Sequence, residues 1–477
     1  MSAISKEDLS WYSHRLRMMS TREIFAMRLR RAVRDHFFPL RLLPKNGIQL
    51  DVSFFDPAIV QIYFRRFPKI AKQTLKEAEG VYQDCIRLFE DIHFFEDHVV
   101  WEKDFITGRK WPSIPVERLN YRSATAGDPK YIWELNRHQF LIVLGKAYFL
   151  SGDERFARKA VELILSWIEQ CPPRMGINWS SCIELATRQL SWLWTLRFME
   201  NCRDLAPGTL NQIRDSLYAQ TKYILTHLSL YSSANNHLIS ELMALVVMGH
   251  HLRQDSWIKT AQRLFDKCFN EQFHLDGVGA EQSPSYQAHT MEFTLLSILK
   301  LRECGKEPSE KMLKRLQRGA GFLAKILDQQ GHSPQIGDSD SGRVLPLCDR
   351  YSEYKSLLNL TAYVTEANCL IQPDVAADEK TFWLVGPEAF DRLVAQAGSE
   401  RVSLPCAFPE GGYYVLERQV NRSHMKVIFD CGPLGLKPMA GHGHADALSF
   451  VLYVDGLPFL IDPGTYTYFK DAFWRDY

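Results

Sequence analysis

Between about residue 130 and residue 330, segment after segment places apolar side chains at i, i+3, i+4 and i+7, the spacing that gathers them on one helical face. HQFLIVLGKAYFLSGDERFARKAVELILSWIEQCPP reads as two helices hinged at Ser151-Gly152-Asp153, where Gly suits a helix end and Ser or Asp an N-cap. ELATRQLSWLWTLRFME, TLNQIRDSLYAQTKYILTHLSLY, HLISELMALVVMGHHL, SWIKTAQRLFDKCFNEQF, SYQAHTMEFTLLSILKLRECG and SEKMLKRLQRGAGFLAKIL continue the pattern. Helices of similar length, joined by short linkers, can bury their apolar stripes only against one another. The packing expected is a layered array of antiparallel helix pairs, of which an incomplete (α/α) toroid is one form.

After about residue 400 the period changes from helical to two. GGYYVLER, HMKVIFDCG and ALSFVLYVDGLPFLIDPG alternate β-branched and aromatic residues, and Asp455-Gly456 between two apolar runs is a hairpin signal. The fold class is therefore multidomain, α then β. The expected divisions are an N-terminal helical or extended region over 1–100, a helical toroid over 101–395, and the start of an antiparallel β-sandwich over 396–477. A sheet this short has an uncovered face, so the β domain is expected to continue past Tyr477.

Charge excludes some partners. The 57 Lys and Arg against 56 Asp and Glu leave a net charge of +1, no global reason to bind nucleic acid or an anionic membrane. Arg15, Arg17, Arg22, Arg28, Arg30, Arg31 and Arg34 read as the solvated face of an amphipathic helix. No apolar run is long enough to insert in a membrane, and MSAISKEDLSWYSHRLRMMS has no secretory apolar core, which points to the cytoplasm. The ten cysteines are scattered, without a disulfide framework, and read mostly as buried small hydrophobes.

Several stretches carry more polar chemistry than a core requires. In SSANNHLISE, Asn235 reads as a helix N-cap, whereas Asn236 and His237 lie one step further in, with Glu241 spaced to share a helix face with His237. In DGVGAEQSPSYQAH, a Gly-rich loop carrying Glu281 ends in a helix whose first turn holds Tyr286, with His289 after it. GHGHADALSF puts His442, His444 and Asp446 two apart, on one face if the segment is a strand. Two histidines and a carboxylate suit zinc, and Asp462 is a further oxygen ligand. NWSSCIELATRQLSW spaces Glu184 and Arg188 as an i, i+4 ion pair, and Trp179, Trp192 and Trp194 serve a core or a sugar-stacking platform equally well. QIGDSDSGR has a D-x-D but lacks the other ligands of a calcium loop, and reads as a turn.

Taken in order, NWSSCIELATRQLSW, SANNHLISE, DGVGAEQSPSYQAH, IGDSDSGR and GHGHADALSFVLYVDGLPFLIDPGTYTY resemble the heparinase II/III family of polysaccharide lyases, related also to alginate lyases, over roughly residues 130–477. The resemblance implies an α/α toroid followed by an antiparallel β-sandwich, and cleavage of a uronate-containing acidic polysaccharide or oligosaccharide by β-elimination, with no organic cofactor. It implies that Asn236 holds the uronate carboxyl with His237 assisting, that Tyr286 and His442 transfer protons, and that Glu184, Arg188, Glu241 and Trp179 line the substrate cleft. His444 and Asp462 match two zinc ligands of relatives, whose third, a later histidine, falls beyond Tyr477. Gln287 stands where the family often has His, and Thr290 where some relatives have Arg. The resemblance also implies a bacterial periplasm or cell envelope, against the cytoplasmic N-terminus.

Two other readings stay open. A protein that binds a surface polysaccharide during its assembly, without cleaving it, fits the absence of a leader. A glycoside hydrolase on the same toroid needs paired carboxylates, for which Glu184, Glu241 and Glu281 are available.

Overall fold

Gly152 adopts a left-handed φ of 70° and Asp153 accepts the Arg155 N–H, so the helical run breaks where the sequence predicts. The computed structural model describes Phe25 and residues 48–465, apart from 53–57, 90, 96–97, 122–125, 231–233, 340, 349–350, 400–403 and 438–439. The Arg-rich N-terminal segment lies outside these. Two helices, α1 (Ile59–Arg66) and α2 (Pro68–Tyr82), lead into a hairpin of β1 (Cys85–Leu88) and β2 (Asp91–Phe94). The helical array continues with α3 (Pro129–Asn136), α4 (Phe140–Ser151), α5 (Glu154–Gln170), α6 (Cys182–Phe198), α7 (Pro207–Thr226) and α8 (Asn236–His251). After these come α9 (Asp255–Glu271), α10 (Pro284–Glu303), α11 (Glu310–Ile326), α12 (Glu353–Thr365), α13 (Glu379–Val385) and α14 (Pro387–Gln396).

Alternate helices pack on the next helix in the chain and on the one after it: α4 on α5 and α6, α6 on α7 and α8, α8 on α9 and α10. Stripe-faced helices such as α5 and α9 sit at the outside, while α6 is buried from Glu184 to Phe198 on all sides. The centre of the array is aromatic. Trp167 meets Trp192 edge-on at 5.5 Å between centroids, and Trp192 donates its indole N–H to His138 Nδ1 at 2.8 Å.

The chain then forms one antiparallel sheet in the order β3 (Ala407–Phe408), β4 (Tyr413–Val420), β5 (Ser423–Asp430), β6 (Phe450–Val454), β7 (Leu457–Leu460). Asp455 (φ 53°) and Gly456 (φ 79°) make the β6–β7 turn, both left-handed as a type I′ hairpin demands. Period-two alternation decides the faces. Tyr413, Val415, Ile428, Val451 and Tyr453 face inward, and Tyr413 and Phe408 pack on Phe322 of α11. The outer face carries Tyr414, Phe429 and Phe450 in cross-strand register and leaves Tyr414, Leu416 and Phe450 exposed, so the described residues make one layer of a sandwich.

Latches join the sheet to the helices. Asp276 Oδ2 accepts the N–H groups of Glu410 and Gly411 at 2.8 and 2.9 Å, and Lys325 pairs with Glu417 at 2.8 Å. All ten cysteines are free, four of them buried, four half-buried and Cys406 and Cys431 exposed, so fewer serve as core hydrophobes than expected.

Buried histidines give the fold a pH dependence. His251 is 3% exposed, donates from Nδ1 to Asp51 O at 2.6 Å, and is pushed down to about 2 by burial and then by the charges of Lys300 and Arg197. Burial likewise holds His138 well below the ordinary imidazole value, with the nearby Arg188 charge in the same direction. Both are neutral in the native state, whereas the unfolded chain protonates them below about pH 6.5, so their contribution is present above that pH and lost as pH falls. Each adds a slope of about 1.4 kcal/mol per pH unit. His274 and His250 act in the same sense and His444, whose value is raised, in the opposite one. Urea unfolding between about pH 6.5 and 5 is expected to show stability falling with pH, with a shallower slope in His251→Gln. A slope unaffected by the substitution would contradict the assignment.

Candidate active site

Asn235 caps α8 by accepting the His237 N–H at 3.1 Å, which fixes Asn236 in the first turn. Asn236 is fully buried. Its Nδ2 donates to Glu281 Oε1 at 2.8 Å, and its Oδ1 has no hydrogen-bond partner among the described residues.

Glu281 comes from the Gly-rich loop before α10. Gly277, with φ 98°, passes so close to α11 that a Cβ would lie 2.3 Å from the Arg318 carbonyl carbon. Gln287 secures the loop: its Oε1 accepts from Gly279 N at 2.7 Å, and its Nε2 donates to Gly277 O and Gly319 O at 3.1 Å each. Gln287 therefore holds the loop in place. Ser283 caps α10 by accepting the Tyr286 N–H. That sets Tyr286, 6% exposed, in the first turn.

The ring of Tyr286 stacks on His442, with centroids 3.8 Å apart and planes inclined by 26°. His289 meets Tyr286 edge-on at 5.8 Å and its Nε2 contacts Gly342 O at 2.8 Å. His442 Nδ1 donates to Asp338 Oδ2 at 3.2 Å, and its Nε2 lies 3.8 Å from Glu281 Oε1. Contacts thus run from Asn236 through Glu281 and His442 to Tyr286, across three segments of chain.

The H-x-H-x-D segment corrects the sequence reading. It is not the start of a strand: β6 begins at Phe450, and after an isolated bridge at Gly441 the chain to Ser449 is irregular, with turns at His442 and Ala447–Leu448. Gly441 and Gly443 flank His442, and His442 and Leu448 take left-handed φ values of 64° and 68°, which no pleated strand permits. His442 and His444 still converge, because both reach one carboxylate. His444 Nε2 donates to Asp338 Oδ1 at 2.9 Å, and that bond raises the imidazole pKa, aided by the charges of Asp338, Asp462 and Asp446.

The ligand atoms of His444, Asp446 and Asp462 lie within 4.8 Å of one another. One imidazole and two carboxylates are a donor set that suits a divalent cation, and with Nε2 on Asp338 it is Nδ1 of His444 that stays available. Asp446 joins the expected pair of His444 and Asp462 from within the chain.

The four residues expected to line a cleft lie elsewhere or serve other ends. Glu184 does not pair with Arg188; it pairs with Arg137, which donates at 2.7 and 3.1 Å. Arg188 is fully buried. Its guanidinium donates to Gln220 Oε1, Asn136 O and Asn178 O at 3.1, 3.0 and 3.3 Å, and lies 4.0 Å over the Trp167 ring. Trp179, 1% exposed, donates to Cys171 O and meets Tyr223 edge-on, leaving no face for a sugar. Glu241, also fully buried, accepts the N–H and hydroxyl of Ser229 at 2.6 Å each and so pins the segment before α8. Glu184, Arg188 and Glu241 are interior because α6 and α8 are buried nearly all round, a condition that i, i+4 spacing does not encode, and Trp179 is buried in the short turn before α6.

Asp338, inside the stretch read as a turn, was passed over in the sequence, as was the role of Glu281 in holding Asn236. Asp338 is 104 residues from His442, so no local spacing could have paired them. Gly337 makes the meeting possible: at φ 65° a Cβ there would lie 2.7 Å from Gln282 O and 3.0 Å from His442 O. Beside the site a cavity of about 360 Å³ opens between the helices and the sheet loop, lined by Ala234, Gln272, His274, Ala280, Leu436 and Lys437 among others. That is the size of a small-ligand cleft.

Comparison with known proteins places these observations. Residues 62–361 match the heparinase II/III N-terminus and residues 401–477 the heparinase II/III-like C-terminal region. Among curated proteins, a heparin-sulfate lyase of Bacteroides thetaiotaomicron is 24% identical over 411 residues, covering 84% of this chain and 56% of that protein. A heparin-sulfate lyase of Pedobacter heparinus is 22% identical over 366 residues, 74% of this chain and 50% of its own length. The chain spans about half the length of the curated relatives it matches. Among solved structures, heparinase III superposes with a TM-score of 0.60 at 16% identity, covering 94% of this chain and 65% of that one. Heparan sulfate lyase HepC from Pedobacter heparinus gives 0.50 at 17%, covering 85% and 58%. These likenesses show the architecture, a helical toroid followed by an antiparallel β domain.

Proposed function

This chain belongs to the heparinase II/III family, and from that premise we propose that it is a polysaccharide lyase that cleaves a uronate-bearing acidic glycan by β-elimination. The observation that carries the reading is the line of contacts Asn236–Glu281–His442–Tyr286, which brings an amide, an imidazole and a phenol to one place. The names of the curated relatives support an acidic glycan as the substrate.

β-Elimination needs three things: the uronate carboxyl neutralised, the C5 proton removed and the leaving O4 protonated. Asn236 supplies a neutral donor, preorganised by Glu281 and by the α8 cap, for the carboxyl whose charge grows as C5 loses its proton. His237, half-buried beside it, assists. His442 or the Tyr286 phenolate takes the C5 proton; the C–H electrons form the C4=C5 double bond, the C4–O4 bond breaks, and the Tyr286 hydroxyl gives its proton to O4. The net change is one proton moved from C5 to the leaving oxygen. The neighbouring cavity takes the sugars that flank the cleaved bond.

His444, Asp446 and Asp462 would hold the zinc ion that the family resemblance implies. When bound there, the ion supplies positive charge that offsets the two carboxylates and ties the His442 loop to the end of the sheet. The hydrolase alternative asks for two carboxylates across a bond, and Glu184 and Glu241 are engaged with Arg137 and Ser229 instead.

The test is a panel of uronate polysaccharides incubated with the protein, with and without Zn²⁺, and followed for unsaturated uronate by its absorbance at the ultraviolet edge. Absorbance growing with at least one polymer supports the reading. Binding without a new double bond favours a glycan-assembly protein, and reducing ends without absorbance a hydrolase.

A further inference from the structure

We propose that Asp338 is the positioning residue of this site, one carboxylate that sets the tautomers of both histidines, Nδ1–H on His442 and Nε2–H on His444. The inference rests on the lyase reading for its kinetic consequence but not for its geometry.

Asp338 is 6% exposed and lies between α11 and α12, yet hydrogen bonds reach it from several other segments. Oδ2 accepts from His442 Nδ1 at 3.2 Å, while Oδ1 accepts from His444 Nε2 at 2.9 Å and from the Thr465 hydroxyl at 3.1 Å. Its backbone N–H donates to His442 O at 3.0 Å, and its own carbonyl accepts the Ser283 hydroxyl at 2.6 Å. Ser283 is the cap of the helix that presents Tyr286. A single residue therefore ties the phenol's helix, the His442 loop and the segment at Thr465 into one frame.

The chemical consequence follows from what a carboxylate can do. It only accepts, so a nitrogen hydrogen-bonded to it must carry hydrogen. On His442 that nitrogen is Nδ1, which leaves the lone pair on Nε2, on the Asn236 side of the site; the Glu281 oxygen on that side is 3.8 Å away, beyond hydrogen-bond distance, and accepts from Asn236 instead. A proton-accepting imidazole needs that lone pair on the substrate side. On His444 the nitrogen is Nε2, which leaves the lone pair on Nδ1, the atom available to a cation with Asp446 and Asp462. The two histidines point opposite ring nitrogens at the same carboxylate. One anion thus prepares a base and a metal ligand together.

Asp338→Asn tests this because an amide offers one acceptor oxygen and one donor nitrogen, so it cannot satisfy both tautomers. With lyase activity established for the wild type, kcat is expected to fall about 10²- to 10⁴-fold with KM within a few-fold, and Asp338→Glu to recover part of the loss. Two readouts are independent of activity. In ¹⁵N-histidine spectra, with the resonance assigned by His442→Gln, wild-type His442 is expected as the Nδ1–H form and Asp338→Asn is expected to change it. Zn²⁺ affinity, measured by competition with a chromophoric chelator, is expected to weaken about 10- to 100-fold. If the wild type forms no unsaturated product, the lyase reading fails while the spectra still decide the role of Asp338. A wild-type His442 in the Nε2–H form, or an Asp338→Asn variant with lowered thermal stability and unchanged kcat and tautomer, would overturn the proposal.

Discussion

Tyr286→Phe is expected to lower kcat about 10³-fold while lowering the melting temperature by no more than about 2–4 °C. The substitution removes one oxygen and keeps the ring, and the ring is what packs: it is 6% exposed, stacked on His442 at 3.8 Å and edge-on to His289. Folding therefore keeps the ring packing and loses at most the hydroxyl's hydrogen bond, about 1 kcal/mol. Chemistry loses the group that protonates O4, and general acid–base groups contribute about 10²- to 10⁴-fold each. His442 remains as a base, but no neighbouring group in this account replaces the acid, so the loss should fall on kcat more than on KM. Full activity in Tyr286→Phe, measured by initial rates of unsaturated product, would rule out this division of labour.

The second large effect is on stability. Arg188→Ala is expected to destabilise the helical domain by roughly 3–5 kcal/mol, read as a shift of the urea midpoint. Arg188 is fully buried, and burial pushes its guanidinium down to about 9 despite the opposing influence of Cys171 and Glu184. The charge is tolerated because its donors meet Gln220 and the carbonyls of Asn136 and Asn178, and because its plane lies on Trp167. Alanine would leave those acceptors unpaired and a void beside the tryptophan cluster. The same variant separates an interior brace from a cleft residue. A brace loses stability, whereas a substrate ligand would raise KM in a protein of unchanged midpoint.

How much of this was legible in the chain depends on whether the determining contacts are local. The helix breaks at Gly152 and Asp153, the cap at Asn235 and the turn at Asp455-Gly456 all depend on residues within a few positions, and each formed as read. His442 and His444 were read as pointing to one side of a strand; they do converge, on Asp338, but the pleated-strand geometry was wrong. The glycines on either side of His442 carried the warning, since they permit the left-handed turn the segment takes. Glu184 and Arg188 were mispaired for the opposite reason. Helical spacing makes them neighbours, but α6 is buried on all sides, and stronger partners reach each of them from other elements: Arg137 for the first, Gln220 and Trp167 for the second. Asp338 was illegible as a site residue because the groups that meet its carboxylate, His442, His444 and Thr465, lie more than a hundred positions away and its own neighbourhood, QIGDSDSGR, has the composition of a turn.

The most direct measurement of the central claim is the mass of the oligosaccharides released when the protein acts on a uronate polymer. β-Elimination leaves one fragment with a C4=C5 double bond and adds no water across the cleaved linkage, so the fragment with the new non-reducing end is expected to be lighter by one water than its hydrolytic counterpart and to absorb at the ultraviolet edge. Fragments that carry the added water and do not absorb, or a polymer bound yet left whole across the panel, would contradict the account.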